Sequence, residues 1–450
     1  MPAADVDAYV EANSRRFVDE LKELCSFASI SVEGPEAVRP CRDWLGERLG
    51  RLSDRVETLE AGGLPSLLAD LPGRGRRLLL YSHYDVQPVD PLADWESPPF
   101  EPAERGGRVF ARGVCDDKAD VMARLHAIET LKAVRGELPL ALGFLIEGEE
   151  EIGSPTFERL VQRHGDRLRA DGCLWESAGF DSAGRGQVIF GCRGLLYVQL
   201  RVRMLGYDQH SGLASLYPSA AMYLVAALAS LRDQDMNIKI DGFYEAVVPP
   251  TARDREMLTR LDPEVEERRR LVGFERLIRD PAPERVMEQL LFTPTCNLAG
   301  LTAGYQGPGS KTVLPAEATA KLDFRLIPDQ DPEDILVKLR RHLDRAGFEK
   351  VEIVWHDGEK PARSDPDSEL ARAVIASQRE LFGGPNLWPF MQATGPMHGI
   401  AHALGIPTVM ATGAGRPDAR VHAPNEGVEV EDYLNTVRLA CRIFEAFGAS

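Results

Sequence analysis

Apolar residues along this chain fall into two kinds of pattern, and the change from one to the other divides it. The run "LLLY" over residues 78–81 is apolar at every position and ends abruptly in His83 and Asp85 before the turn-forming Pro88. So short an unbroken run predicts a strand buried on both faces of a parallel sheet. The runs "LALGFLIE" and "GCLWES" read the same way. Helical spacing covers Val6 to about Leu52, the segment to Val134 with Val121, Leu125, Ile128 and Leu131 on one face, and a stretch ending at Leu168. Strands alternating with helices predict a βαβ sheet.

At Arg193 the pattern changes. Leu196, Val198, Leu200, Val202 and Met204 alternate with Tyr197, Gln199, Arg201 and Arg203, the period of a strand with one wet face, as in antiparallel sheets. A helix is expected over Pro218–Arg232. The alternating "ATAKLDFRLIP", a helix over Pro332–Ala346 and the alternating "VEIVWHD" complete a βα…βαβ unit, with residues 241–315 as an elaboration inside it. From about Ser364 the first pattern resumes, including "IPTVMATG". The expected architecture is α/β: one domain with a mixed, mainly parallel sheet flanked by helices over residues 1–192 and 361–450, interrupted by an inserted α+β domain over 193–360.

Composition changes this picture little. A chain of 450 residues with 44% hydrophobic content suits two globular domains. A formal net charge of −17 argues against nucleic acid or an anionic membrane surface as partner, since both need a basic footprint. The first thirty residues have no apolar core of signal-peptide type, and no run of eighteen apolar residues occurs. Seven scattered cysteines, with no C-x-x-C pair, fit a reduced, cytoplasmic protein without a disulfide or zinc-thiolate framework.

The candidate chemistry lies at the strand ends. His83 and Asp85 follow the first strand, Glu149, Glu150 and Glu151 the second, and Glu176 the third, while "RGVCDDKAD" adds Asp116 and Asp117 just before a helix. In open α/β sheets ligands bind beyond the carboxyl ends of the strands. Singly, each acid is an ordinary solvated or helix-capping residue. Jointly they would bring like charges to one sheet edge, and close carboxylates repel unless a proton or cation intervenes. A pair of divalent metals is the simplest solution. A two-metal hydrolase needs histidines, carboxylates, and an oxygen ligand bridging ions roughly 3.5–4 Å apart. It also needs a carboxylate that is not a ligand, to take a proton from water. His83, Asp116, Glu151, Glu176 and a distant histidine could supply the ligands, the best candidate being His422 in "RVHAPNE", with Glu150 as the base.

The motifs "YSHYDVQP", "RGVCDDK", "EGEEEIGS", Glu176, "DQHSG" and "VHAPNE", in this order, resemble the M20 metallopeptidase family, most of all its carnosinase-like dipeptidase branch. The resemblance spans essentially the whole chain. It implies a catalytic domain of zinc-peptidase type with an inserted ferredoxin-like lid and dimerisation domain. It further implies two divalent ions, zinc first, with manganese and cobalt as alternatives. His83 and Glu176 would hold one ion, Glu151 and His422 the other, and Asp116 would bridge them, followed by Asp117 through a cis peptide. Asp85 would orient the His83 ring, and Glu150 would be the general base. His210 would reach the active site of the other subunit of a homodimer and stabilise the oxyanion. Arg325 in "FRLIP" would grip a substrate carboxylate, with Thr312 and the backbone at Gly395 completing the pocket.

The expected function is therefore hydrolysis of the amide of dipeptides or similar small substrates with a free carboxylate. Glu176 stands where carnosinase-like dipeptidases usually have Asp and where the aminoacylase and deacylase branches have Glu. An N-acyl-amino-acid deacylase is thus the alternative, and an inactive binding protein of the same fold is the alternative of another class. His398 and His402 have the spacing of H-E-x-x-H zinc helices, but Gly399 occupies the position of the glutamate.

Overall fold

The apolar run that ends at His83 forms the strand Arg77–His83, and its neighbours explain its composition. It pairs in parallel with Ala141–Glu147 on one side and Gly172–Leu174 on the other, and Leu78, Leu79, Leu80 and Tyr81 have no exposed surface. Around it a six-stranded sheet runs in the order Val56–Leu59, Ser66–Leu71, Ala141–Glu147, Arg77–His83, Gly172–Leu174, Thr408–Val409. The pairings of the first three strands are antiparallel and the remainder parallel, so the sheet is mixed and mainly parallel. The computed structural model describes residues 2–449. They divide into one unit of residues 2–191, 363–390 and 395–449, and a second of Cys192–Ala362 with Met391–Thr394.

In the first unit the helical stretch expected over Val6–Leu52 is two helices, Pro2–Cys25 and Pro35–Gly50. The break covers residues 26–34, where Ile30 bridges Val86; it ends at Gly34, whose φ of 93° is open to glycine and strained for other residues, and Pro35 starts the second helix at its first turn. The helix Ala119–Arg135 buries Val121, Leu125, Ile128 and Leu131 as expected. It also buries Met122, Ala123, His126 and Ala127, because it packs against both Pro2–Cys25 and Val430–Ala449. From this buried helix the Arg124 guanidinium donates to the carbonyls of Tyr81 and Trp175 and, at 2.7 Å, to Ser82 Oγ. It thereby ties together the carboxyl ends of two neighbouring strands.

The second unit is a four-stranded antiparallel sheet in the order Asn297–Ala303, Glu317–Leu326, Gly194–Arg203, Glu352–Glu359. With helices Ala220–Ser230 and Pro332–Arg345 this gives a βαββαβ, ferredoxin-like arrangement. The alternation of the sequence is the burial pattern: Leu196, Val198, Leu200 and Val202 share one core with Leu224, Ala227, Leu339 and Leu343. Strand Asn297–Ala303 lies inside what the sequence marks only as an elaboration. It is an edge strand whose Leu298 and Leu301 are exposed, so burial imposes no alternation on it. Residues 391–394 join this unit rather than the run 361–450 expected for them: the Arg325 guanidinium donates to Thr394 Oγ1 at 2.7 Å.

All seven cysteines are free, and among the described residues no helix is long and apolar enough to cross a membrane. Leu80 sits at the centre of the parallel sheet with no exposed surface. Leu80→Ala is expected to cost about 2–5 kcal/mol, read as a lower urea midpoint for unfolding of the first unit; a change within error would show that the strand is not core.

Candidate metal centre

Each side chain of the site is set by the end of a strand or by a loop pinned to one. His83 is the last residue of its strand and is fully buried. Its Nδ1 lies 3.1 Å from the Asp85 carbonyl oxygen; with the N–H donated there, the Nε2 lone pair is free for ligation. That Nε2 faces Asp116 Oδ1 at 2.9 Å, and the other oxygen of the same carboxylate, Oδ2, faces His422 Nε2 at 3.1 Å. His422 Nε2 is equally close, at 3.1 Å, to Glu151 Oε2. His83, Asp116 and Glu151 each offer an atom within 4.8 Å of the others. One carboxylate thus turns its two oxygens to two different imidazoles, and the Asp116–Asp117 peptide is cis.

Asp85 faces the His83 ring, as the orienting role requires, and it also holds backbone. Its carboxylate accepts from the backbone N–H groups of Glu150 and Glu151 at 3.2 and 3.0 Å. Its Oδ1 stands off at 3.5 Å from His83 Nδ1. The carbonyl and the carboxylate of Asp85 both face the ring nitrogen, and the carboxylate also holds the turn that carries Glu150 and Glu151. Glu149, in the same acidic run, plays a structural part, accepting from the N–H groups of Leu64 and Thr156, each at 2.8 Å.

The electrostatics are those of crowded carboxylates. Burial pushes the Glu150 carboxyl up to about 7 against the pull of His83, with Asp116, Glu151 and Asp85 adding to the rise. Burial, then the charge of Glu150, holds Glu176 well above the usual carboxylate range. Asp116, despite its burial, is held well below that range by hydrogen bonds to His422 and His83. The same contacts from Asp116 and Glu151 raise His422 to about 10. Burial alone would depress His83; hydrogen bonds with Asp116 and Asp85 hold it well above its ordinary value. Like charges this close call for a proton or a cation between them.

A divalent metal fits these residues. Glu176 Oε1 is buried and has no hydrogen-bond partner among the described residues, an arrangement that a bound cation would resolve. Glu176 stands outside the tight group of three, facing Glu150, His83 and Asp116. The donors are imidazole nitrogen and carboxylate oxygen with no thiolate, a set suited to zinc and similar divalent ions. A Cβ built on Gly395 would lie 3.9 Å from Glu150 Oε1, so the backbone there borders the Glu150 carboxyl.

The remaining expected residues lie in the second unit. His210, in the short strand Gln209–His210, and Thr312 are exposed neighbours, with His210 Nε2 3.5 Å from Thr312 Oγ1. His210 Nδ1 accepts from the N–H of Gly212 at 3.0 Å. Arg325 is half-buried, and no carboxylate among the described residues pairs with it. In the first unit, His398 and His402 stack with ring centroids 5.1 Å apart, and His402 Nε2 accepts from the Arg363 N–H at 3.1 Å.

Comparison with known proteins points one way. The sequence profile of peptidase family M20/M25/M40 matches residues 79–446. The chain is 35% identical to an M20 family metallo-carboxypeptidase, Sso-CP2, of Sulfolobus solfataricus, covering 96% of this chain and 99% of that one with a TM-score of 0.90. It is 27% identical to the Beta-Ala-His dipeptidase of Mus musculus over 97% of this chain and 94% of the relative. It is 25% identical to the Cys-Gly metallodipeptidase dug1 of Schizosaccharomyces pombe over 96% and 95%.

Sequence reasoning gave no role to Glu426, the last residue of "VHAPNE". Its buried carboxylate accepts from the Arg112 guanidinium at 2.7 Å and from the N–H groups of Gly113, Cys115 and Asp116 at 2.9, 2.8 and 3.2 Å. Arg112, equally buried, also donates to the Pro88 carbonyl at 3.0 Å. Nothing in the local sequence separates Glu426 from a solvated acid; only its place four residues after His422 was a signal. Glu426→Gln removes the countercharge of buried Arg112 and is expected to cost about 3–5 kcal/mol. Denaturant unfolding checks this, and stability equal to wild type would show that Glu426 does not hold the Asp116 loop.

Proposed function

Because this chain belongs to peptidase family M20/M25/M40 and is a metallopeptidase, we propose that it cleaves the amide bond of dipeptides and similar small substrates with a free carboxylate. The observation that carries this reading is the carboxylate of Asp116, shared between His83 and His422 and flanked by Glu151, Glu176 and Glu150. His83 and Glu176 would hold one divalent ion, Glu151 and His422 the other, and Asp116 both, with zinc favoured by the donors and manganese or cobalt as substitutes. Bound ions supply positive charge that acidifies water and polarises the scissile carbonyl.

Glu150 would take the proton from the attacking water and deliver it to the departing amine. Burial supports that role, since a carboxyl raised to about 7 can both accept and release a proton near neutral pH. Asp85 keeps the Glu150 turn in place through two backbone N–H groups. Arg325, with no carboxylate partner among the described residues, would take the free carboxylate of the substrate. Thr312 and the backbone at Gly395 would border the bound substrate. His210 of the partner subunit would stabilise the oxyanion in a homodimer formed through the second unit. The exposed Leu298 and Leu301 of its edge strand and Met222 and Val225 of its helix Ala220–Ser230 support such a dimer. Seven free cysteines, six of them buried, support a reducing, cytoplasmic setting.

Three measurements test the reading. Protein stripped of metal and refilled with zinc, manganese or cobalt is expected to release amino acids from dipeptides, β-Ala-His and Cys-Gly among them. Cleavage confined to N-acetyl amino acids would replace the dipeptidase by a deacylase, and silence across the panel would leave a binding protein. Glu150→Gln is expected to lower kcat by about a thousandfold or more with two ions per chain retained by elemental analysis, whereas Asp116→Ala retains fewer; a working Glu150→Gln enzyme would sink the base assignment. Mixing His210→Ala with Glu150→Gln subunits is expected to restore one working site per heterodimer, and no recovery in verified heterodimers would exclude a shared site.

A further inference from the structure

A cavity of about 500 Å³ in the second unit has no part in the proposed reaction. It lies largely within the elaboration between the helix Ala220–Ser230 and the edge strand Asn297–Ala303, and its apolar wall includes Val265, Phe274, Leu277, Ile278, Val286 and Leu290. Every charged side chain that lines it is an arginine: Arg193, Arg232, Arg268, Arg276 and Arg279. In a chain with 70 acidic residues against 53 basic ones, chance solvation would have placed acids among them. Arg268 reaches Glu264 at 3.7 Å. The other four have no carboxylate within 4.0 Å among the described residues.

Arg193 is the informative member. It is only 4% exposed. Its Nη2 donates to the carbonyls of Leu290, Leu291 and Thr293, while its Nε is buried without a partner. A guanidinium held by carbonyl dipoles alone is desolvated with no countercharge, a state that an incoming anion stabilises. Burial, then the neighbouring charge of Arg325, pulls it down to about 10. The volume falls within the range of small-molecule sites, which are mostly apolar with a few polar groups that fix orientation.

We propose that this cavity binds an amphipathic anion, an aliphatic tail of medium length lying on the apolar wall with its acidic head among the arginines. The guanidinium fork matches a carboxylate or a phosphate head equally, so the experiment separates the two. Calorimetric titration of the metal-loaded full chain with decanoate, decyl phosphate and uncharged 1-decanol reads binding without any turnover, so its outcome is independent of the dipeptidase reading. Saturable one-to-one binding of an anion is expected, the tighter of the two naming the head group, with 1-decanol weaker by about tenfold or more. Ile278→Trp fills the cavity and Arg276→Glu reverses a charge on its rim; both residues are exposed, so the variants should melt like wild type. Each is expected to weaken the anion by about tenfold or more. No saturable binding, anion affinity unchanged in both variants, or 1-decanol binding as tightly as the anions would overturn the proposal.

Discussion

Repulsion between carboxylates gathered beyond the ends of parallel strands is the constraint on which the first unit depends. Asp116, Glu150, Glu151 and Glu176 converge where the sheet delivers them, and like charges this close must be offset. The fold offsets them with imidazoles: Asp116 sits between His83 and His422, and its carboxyl is held low while theirs are held high. What is left over falls on Glu150 and Glu176, the two carboxyls that burial and their neighbours raise. The proposed base and the proposed ligand thus share one electrostatic cause, the crowding of buried carboxyls.

Such an arrangement persists only if the backbone that carries it cannot relax. The frame is built from acids whose charge is spent on the main chain. Asp85 binds the N–H groups of Glu150 and Glu151, Glu149 those of Leu64 and Thr156, and Glu426 those of Gly113, Cys115 and Asp116. Arg124 fastens the ends of two strands from the opposite side. Some of the acidic residues near the centre therefore position the others, a division of labour that preorganised sites require.

The second unit inverts the charge logic. Its sheet buries one face by strict alternation, and its cations gather where acids are absent: Arg325 bonds a threonine hydroxyl rather than a carboxylate, and Arg193 bonds only carbonyls. A guanidinium tolerates this better than an ammonium because its planar fork can satisfy several acceptors at once. The edge strand Asn297–Ala303 completes the ferredoxin-like order while leaving leucines exposed, the surface that the proposed dimer would cover.

The sequence by itself determined the elements whose burial is periodic and the residue types at their ends. Leu78–Tyr81 is buried all round, Leu196–Val202 is buried on alternate positions, and His83, Glu150 and Glu151 stand where strands stop. These were legible because burial on one face or two imposes a local period. Strand Asn297–Ala303 was hidden because an exposed edge imposes none, and the break over residues 26–34 because Ile30 leaves the helical path to bridge Val86, a tertiary pairing with no local period. Tertiary structure alone decided the partners. Asp116 and His422 lie 306 positions apart, and strand Gly427–Glu429 pairing with Arg108–Phe110 places one beside the other and turns Glu426 onto the Asp116 loop. Whether an acid becomes ligand, base or brace depends on which donor faces it, and that is set by long-range register, which no local pattern encodes.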